Sequence, residues 1–216
     1  MTSVAVITTS LVAFAVGGFM FGGRYFTKHA HYREVRKYGN KFSLRLYEAH
    51  NIAETVVHDT DMRTAGSRGF RSLAGYIFGG THDGSKISMT TPVQVEQLPA
   101  ATTGSGGGEG GGGHIVRFFL PHGNGTPPIP LDTNVHIRAI PETLFAARDM
   151  PRTWDATLNG NRFAATAEEL VRDVTAAGLH VIGLPIQLAY DPPWTPSIFR
   201  RNEVIVKVAE EGTNAG

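Results

Sequence analysis

Several side chains of this chain could carry out acid–base or metal chemistry, but none stands in the spacing of a catalytic motif. No Ser-x-x-Lys, Gly-x-Ser-x-Gly or His-Glu-x-x-His occurs, and no pair of carboxylates suggests a general acid and base. The closest two histidines, His29 and His31, have no third metal ligand in view, so they are a weak candidate for a metal site. We therefore do not expect an enzyme.

Two polar stretches near the C-terminus, Tyr190-Asp191 and Arg200-Arg201-Asn202-Glu203, contain side chains of the kind that catalysis uses. We interpret them instead as a buried network of hydrogen bonds and ion pairs that fixes the last strand. The glycine-rich segment 104–113 lacks the spacing of a phosphate-binding loop. It also cannot bury enough apolar surface to offset the entropy of ordering it, which predicts a flexible loop over 99–114.

Composition excludes several classes of function. The chain has no cysteine, which excludes disulfides, zinc–thiolate sites, iron–sulfur clusters and thiolate ligation of haem. Its 20 basic and 19 acidic residues nearly balance, so nucleic acid is not an expected partner. A length of 216 residues allows one domain with a tail.

Hydrophobic periodicity predicts the elements that position these side chains. Phe42 to Tyr47 alternates as a strand, and Ile52 to Val57 is its predicted neighbour. Residues 61–78 have helical spacing, with Thr60 or Asp61 as the N-cap. The other predicted elements are strands over 86–97, 115–120, 135–140, 143–148, 186–190 and 202–208, and a helix over 166–177 with a Thr166/Glu169 capping box. Each half reads strand, strand, helix, strand, strand, which predicts an α+β domain whose curved or barrel-like sheet packs against both helices.

The N-terminal residues have the character of a membrane segment. Residues 2–23 carry no charge, and about 20 apolar residues suffice to cross a hydrocarbon core of about 30 Å. The basic residues that follow favour a globular body on the cytoplasmic side. We predict a transmembrane helix or signal anchor over 1–24, a basic juxtamembrane linker over 25–40, the domain over 41–209 and a disordered tail over 210–216. The alternative is a cleaved signal followed by export.

Two ordered stretches resemble the SOUL/haem-binding-protein family. The first is Phe70-Arg-Ser-Leu-Ala-Gly-Tyr-Ile-Phe-Gly79 followed by Lys86-Ile-Ser-Met-Thr-Thr-Pro-Val93; the second is Tyr190-Asp-Pro-Pro-Trp-Thr-Pro196 followed by Arg200-Arg-Asn-Glu-Val204. Arg45-Leu-Tyr47, Phe118-Phe-Leu-Pro121 and Pro127-Pro-Ile-Pro130 are similar to the same family in the same order. The resemblance extends from about Phe42 to Val208.

The resemblance implies a distorted eight-stranded antiparallel β-barrel with two helices and an internal pseudo-twofold repeat. It also implies a hydrophobic groove for haem b or another porphyrin, along the first helix and beside the loop that precedes the last strand. Carried over by position, the ligand-binding residues are Phe70, Leu73, Ala74, Ile77, Tyr190 and Trp194, with Arg63, Arg68 and Arg71 available to propionates. Phe70 and Leu73 equally fit a core stripe, and Trp194 a plug that stiffens its loop.

An axial ligand for the haem iron is not inherited through the resemblance. In one branch of the family the proposed ligand is a histidine directly before the tyrosine that matches Tyr47, and Leu46 stands there in this chain. His50 or His58 could ligate iron as a neutral imidazole. Binding without a protein ligand, as in other members, is the alternative.

These features predict a membrane-anchored carrier or buffer of haem or a related tetrapyrrole. The competing prediction is an interaction or regulatory module that uses the same groove for a peptide or a lipid tail. An enzyme that acts on a porphyrin-like substrate is the third. The residues identify no protein partner.

Overall fold

The computed structural model describes residues 28–59, 61–99, 112–121, 125–152, 159–191 and 195–209. The predicted membrane segment 1–24, Trp194, the predicted tail and most of the glycine-rich loop lie outside these ranges. No helix within them is both long enough and apolar enough to cross a membrane.

The described residues form strands and helices in a duplicated order. The strands are β1 (Lys28–His29), β2 (Tyr32–Tyr38), β3 (Phe42–Tyr47), β4 (His50–Val57), β5 (Thr90–Thr91), β6 (Val93–Gln97), β7 (His114–Phe119), β8 (His136–Ile140), β9 (Thr143–Asp149), β10 (His180–Ala189) and β11 (Asn202–Ala209). Helix α1 (Met62–Ile77) follows β4, and α2 (Asn159–Ala176) follows β9. A short 3-10 helix, Ser197–Phe199, precedes β11.

Nine of these strands form one antiparallel sheet in the order β2-β3-β9-β11-β10-β6-β7-β4-β8. Exchanging β3 with β8, β4 with β9, β6 with β10 and β7 with β11 turns the order of the eight strands from β3 to β8 into the same order read backwards. The sheet therefore has the internal twofold repeat that the sequence predicts, with the axis between β6 and β10. β1 and β5 form a separate parallel pair.

The structure differs from the predicted eight-stranded barrel at three places. The sheet has nine strands, because β2 pairs with β3 inside the segment 25–40 that we predicted as a linker. β10 begins at His180, before the predicted start of that strand, and has a bulge between Ile182 and Ile186. α2 begins at Asn159, so Thr166 lies inside the helix and is buried; the predicted capping box is wrong.

Both helices pack against one face of the sheet and bury their apolar sides there in two clusters. α2 contributes Phe163, Ala167, Leu170 and Val174 to a cluster with β3 and β11, and α1 contributes Leu73, Tyr76 and Ile77 to a cluster with β6 and β7. Met62, at the start of α1, packs against both clusters. Asp61 caps α1, since its Oδ2 accepts a hydrogen bond from Thr64 N at 2.8 Å; this bond and the one from the Thr64 hydroxyl lower the pKa of Asp61.

Helix α1 lies so close to β7 that the contact point must be glycine. A methyl group built on Gly69 would lie 2.6 Å from Val116 Cβ, well inside the contact distance of two carbons. The missing side chain thus sets how near α1 approaches the sheet.

The other face of the sheet buries charge. Glu203 on β11 is fully buried and accepts hydrogen bonds from Arg45 Nη1 and Arg201 Nη2, each at 2.6 Å, and from the Tyr190 hydroxyl at 2.9 Å. Burial alone would raise the pKa of Glu203, but the two guanidinium groups outweigh it and lower the pKa. Asp191 Oδ2 accepts from the backbone N of Arg201 at 2.6 Å. The predicted network around the last strand is therefore confirmed.

The other half of the repeat has a network whose central residue carries the opposite charge, an arginine where the first network has a glutamate. Arg117 on β7 donates to Glu54 at 2.9 Å and also bonds Glu96, while Arg138 pairs with Glu54. β7 corresponds to β11 under the internal repeat. One half therefore holds a carboxylate between two arginines, and the other holds an arginine between two carboxylates.

We expect Gly69→Ala to destabilise the domain by about 1–3 kcal/mol, because the added methyl overpacks the contact with Val116. The matched control is Gly75→Ala on the same helix, where an added methyl meets nothing within 4 Å. That control should be neutral or stabilise the domain by up to about 1 kcal/mol, since alanine is the better helix former. Denaturant unfolding of the purified variants measures both, and equal stabilities would contradict the close approach.

We expect Glu203→Gln to destabilise the domain by about 3 kcal/mol or more at neutral pH, because it leaves Arg45 buried without a countercharge. The folded-state pKa of Glu203 is lowered, so its ion pairs stabilise the fold above the ordinary carboxyl pKa of about 4.3 and stop doing so as the pH falls through the lowered value. The variant should therefore lose less stability than the parent below about pH 4. Unfolding curves against pH, with exposed Glu168→Gln as the control, test this, and parallel curves would refute it.

Candidate functional site

Helix α1 places some of the residues that we predicted to bind a ligand in the core and others at the surface. Leu73 and Ile77 are fully buried in the cluster between α1 and the sheet, so they leave no surface for a ligand. The core alternative that the sequence left open for Leu73 is the one observed, and Ile77 needs the same correction. Both face the sheet because they lie four residues apart on the apolar stripe of α1.

Phe70 and Ala74 are half-buried and keep part of their surface in solvent. The ring of Phe70 packs edge-on against Phe118 at a centroid distance of 5.3 Å, which anchors it to the sheet and fixes its orientation. Arg71 is exposed on the outer side of the helix. A flat apolar molecule on α1 would therefore meet Phe70 and Ala74 and not the deeper residues.

The loop before β11 brings a second basic residue to the start of this helix. Burial and the positive charge of Arg63 lower the pKa of Arg200, while the negative charge of Asp191 opposes them, so both charged groups act on the Arg200 guanidinium. Arg200 Nε donates to Thr195 O at 2.6 Å, so the loop holds its side chain. Phe199, its neighbour in the chain, is 57% exposed. Arg63, in the first turn of α1, and Arg200 are therefore electrostatically coupled, and the exposed Phe199 is next to Arg200 in the chain.

Tyr190 lies on the face of the sheet that the helices do not cover. Its hydroxyl donates to Glu203, and the guanidinium of Arg201 lies 4.2 Å from its ring centroid. Burial and the negative charge of Glu203 raise the pKa of Tyr190, so its proton stays in the hydrogen bond. The structure therefore does not bring Tyr190 together with the residues of α1. Trp194 lies outside the described residues.

The best-defined cleft in the described part of the chain lies where the start of β4 meets the end of β7, beside the β1–β5 pair. It is shallow, about 330 Å³ with its open mouth included, and is lined by His29, Ala30, His31, His50, Thr90, Phe119, Leu120 and Pro121. Among the described residues, no three metal-binding side chains lie close enough together to hold an ion, so the three histidines do not form a metal site in this structure.

The two candidate iron ligands stand at opposite ends of β4. His50 opens the strand, its ring contacts that of Phe119 in a tilted arrangement with a centroid distance of 4.8 Å, and its Nδ1 lies 2.6 Å from the carbonyl oxygen of Glu48. That carbonyl can only accept, so Nδ1 carries the proton. His58 is exposed and lies four residues before α1. At about 3.3 Å per residue the two histidines are about 25 Å apart, so one ligand cannot contact both.

The sequence did not predict the electrostatic coupling of Arg63 and Arg200 or the exposure of Phe199. Arg63 was identified as a basic residue of the helix, but Arg200 was assigned wholly to the buried network. The alternation of side chains along an extended chain could have predicted this. Arg201 and Glu203 face one side of the sheet, so Arg200 faces the other.

One family of known proteins matches most of the chain. The model of the family described as SOUL heme-binding protein matches residues 27–207, which includes β1 and β2 and therefore begins before the Phe42 limit of the resemblance. No curated protein matches the chain.

Solved structures share the fold at low sequence identity. They include the EcmrR C-terminal domain, with 11% identity and a TM-score of 0.51 over 83% of this chain and 98% of that one. An uncharacterized conserved protein from Listeria innocua has 11% identity and a TM-score of 0.52 over 89% and 98% of the two chains. A hydrolase encoded by lin2189 from the same organism has 12% identity and a TM-score of 0.51 over 80% and 94%.

At such identities the solved structures establish the fold alone, whereas the family match covers the whole described sheet and both helices. The duplicated strand order and the ordered motifs agree with that match. The chain belongs to the SOUL heme-binding protein family.

Proposed function

We propose that this protein binds haem b, or another tetrapyrrole, on the surface formed by α1 and the loop before β11, and serves as its membrane-tethered carrier or buffer. Family membership supports a tetrapyrrole as the ligand. The position is proposed from the partly exposed Phe70 and Ala74 on α1, together with the exposed Phe199 and the electrostatic coupling of Arg63 and Arg200.

The chemistry of this surface suits a flat ring with two acidic arms. Phe70 and Phe199 offer apolar faces, and stacking on an aromatic ring contributes about 1 kcal/mol beyond burial of area. Two guanidinium groups match two propionates, and charge-assisted hydrogen bonds are about twice as strong as neutral ones. The surface is open and not a deep groove, because Leu73 and Ile77 fill the space beneath it. A ligand would therefore keep one face in solvent, which suits exchange between partners.

If the iron has a protein ligand, we propose His58. It is exposed and lies at the end of the domain where α1 begins, whereas His50 lies about 25 Å away along β4. Arg68, which pairs with Asp59 at 3.2 Å, orders the chain next to His58.

The tether is proposed from the uncharged residues 2–23 and the basic residues after them. The same charge bias supports a globular domain on the cytoplasmic side, with export after signal cleavage as the alternative. A carrier held at a bilayer would keep a poorly soluble macrocycle near the membrane and limit its free concentration.

We expect Arg63→Glu to weaken hemin binding by tenfold or more, because it replaces one propionate partner by a like charge. Titration of the purified protein with hemin, followed at the Soret band, gives the affinity. The matched control is Arg172→Glu, an equally exposed arginine on α2, which should bind as the parent does. Equal weakening in both variants would reject the site, and no Soret change in the parent at micromolar hemin would favour the interaction module that uses this surface for a peptide or lipid.

We expect His58→Ala to shift the absorption and spin-state spectrum of the hemin complex, and His50→Ala to leave that spectrum unchanged. The reason is that His58 lies five residues before Arg63 in the chain, whereas His50 lies at the other end of β4. The reverse pattern would move the site to the cleft beside Phe119. Unchanged spectra in both variants would show that the iron has no histidine ligand from β4.

A further inference from the structure

Three large apolar side chains are exposed together at the C-terminal end of α1, at the opposite end from Arg63. Phe78 is 53% exposed, Ile129 68% and Leu131 58%. The backbone N of Leu131 donates to Gly80 O at 2.9 Å, and the N of His82 donates to Ile129 O at 3.0 Å. The segment that carries Ile129 and Leu131 therefore runs beside the residues that follow Phe78. We call these three residues the apolar edge.

The apolar edge is built into the fold and is not a loose loop. The Tyr76 hydroxyl donates to Pro128 O at 2.8 Å, and the Ser72 hydroxyl donates to Asp132 Oδ2 at 2.8 Å. These two bonds fix both ends of the segment 128–132 against α1. Ile129 and Leu131 are two residues apart in an extended stretch, so they face the same side. A fixed, contiguous and exposed apolar surface of this kind marks a contact site.

The chain enters the domain close to this surface. Lys28 pairs with Thr90 in the β1–β5 pair, and Ile87 N donates to Ile77 O at 2.8 Å. Thr90 is three positions after Ile87, so the Cα of Lys28 lies within about 25 Å of the Cα of Phe78. The uncharged stretch ends at Gly23, and the five residues from there to Lys28 reach at most about 18 Å.

We propose that the apolar edge docks the domain onto the surface of the bilayer that holds the N-terminal segment. The inference rests on the proposed tether, which keeps the lipid surface within reach of the apolar edge. Exposed Lys86, next to Ile87 in the chain, supplies positive charge for anionic headgroups. The two nearby carboxylates, Asp83 and Asp132, accept hydrogen bonds within their own turns from Ser85 N and Asn134 N.

Docking in this orientation would hold the proposed ligand surface away from the lipid. Helix α1 has 16 residues and is therefore about 24 Å long. Phe78 follows its C-terminus and Arg63 lies in its first turn, so the helix acts as a spacer between the two surfaces. The proposed ligand surface would then face the aqueous side, where a partner can reach it.

The absence of cysteine makes a site-specific test direct. Ile129→Cys and Leu131→Cys each receive a nitroxide label in the full chain, reconstituted into vesicles of phosphatidylcholine with phosphatidylglycerol as the minor lipid. The matched control is Arg172→Cys on α2. We expect the ratio of collisions with oxygen to collisions with a water-soluble nickel chelate to be severalfold higher at positions 129 and 131 than at 172.

Flotation of the same vesicles separates the two proposals. Protein that floats but shows equal collision ratios at all three positions overturns the docking and leaves the tether standing. Protein that does not float overturns both. If the label of a second copy broadens the nitroxide spectrum and the oxygen collision ratio does not rise, another copy of this chain covers the apolar edge. That result would also overturn lipid docking.

Discussion

A carboxylate buried between two arginines determines where the last third of this chain lies. Glu203 has no contact with solvent, and its charge is compatible with that position only while Arg45 and Arg201 stay within hydrogen-bond distance. Arg45 belongs to β3 and Arg201 to the loop before β11, so one charge fixes elements that are far apart in sequence. The position of Arg200, and with it the proposed ligand surface, follows from this arrangement.

The internal repeat explains why charge is tolerated on this face of the sheet. Each half buries a charged side chain on the strand next to the central pair, Glu203 on β11 and Arg117 on β7, and pairs it with two groups of the opposite charge. These two central groups have opposite charges, so they do not repel each other across the sheet. The two faces of the sheet bury different sets of side chains, which gives the strands a defined register, because a slip by one residue would exchange the two faces.

The sequence predicted the parts of the fold in which local pattern and tertiary packing agree. β3, β4, α1 and β11 have clear periodicity, and the structure contains all four close to the predicted limits. β10 was predicted too short because Gly183 and Pro185 are poor strand residues, and a bulge accommodates them. The start of α2 was missed because Asn159, Gly160 and Asn161 are poor helix formers, while burial of Phe163 compensates.

The ligand surface was predictable only in part. Periodicity placed Phe70, Leu73 and Ile77 on one helix, but the pattern cannot tell which side of a half-apolar stripe meets the sheet. The close contact of Gly69 with Val116 decides this, since it turns Leu73 and Ile77 inward and leaves Phe70 at the margin. The approach of Arg200 to Arg63 depends on a loop conformation that no local pattern encodes.

The edge strand β2 protects the rest of the sheet. It carries Arg33, Glu34, Arg36 and Lys37, and charged side chains on an edge strand discourage pairing with another molecule. β3, the next strand, is almost entirely buried. Without β2, its unpaired backbone groups would form an edge that can pair with another molecule. Cleavage of the chain after Tyr38 would therefore leave β2 held to the sheet by its hydrogen bonds to β3 alone, and its dissociation would expose the backbone of β3 to pairing with another molecule.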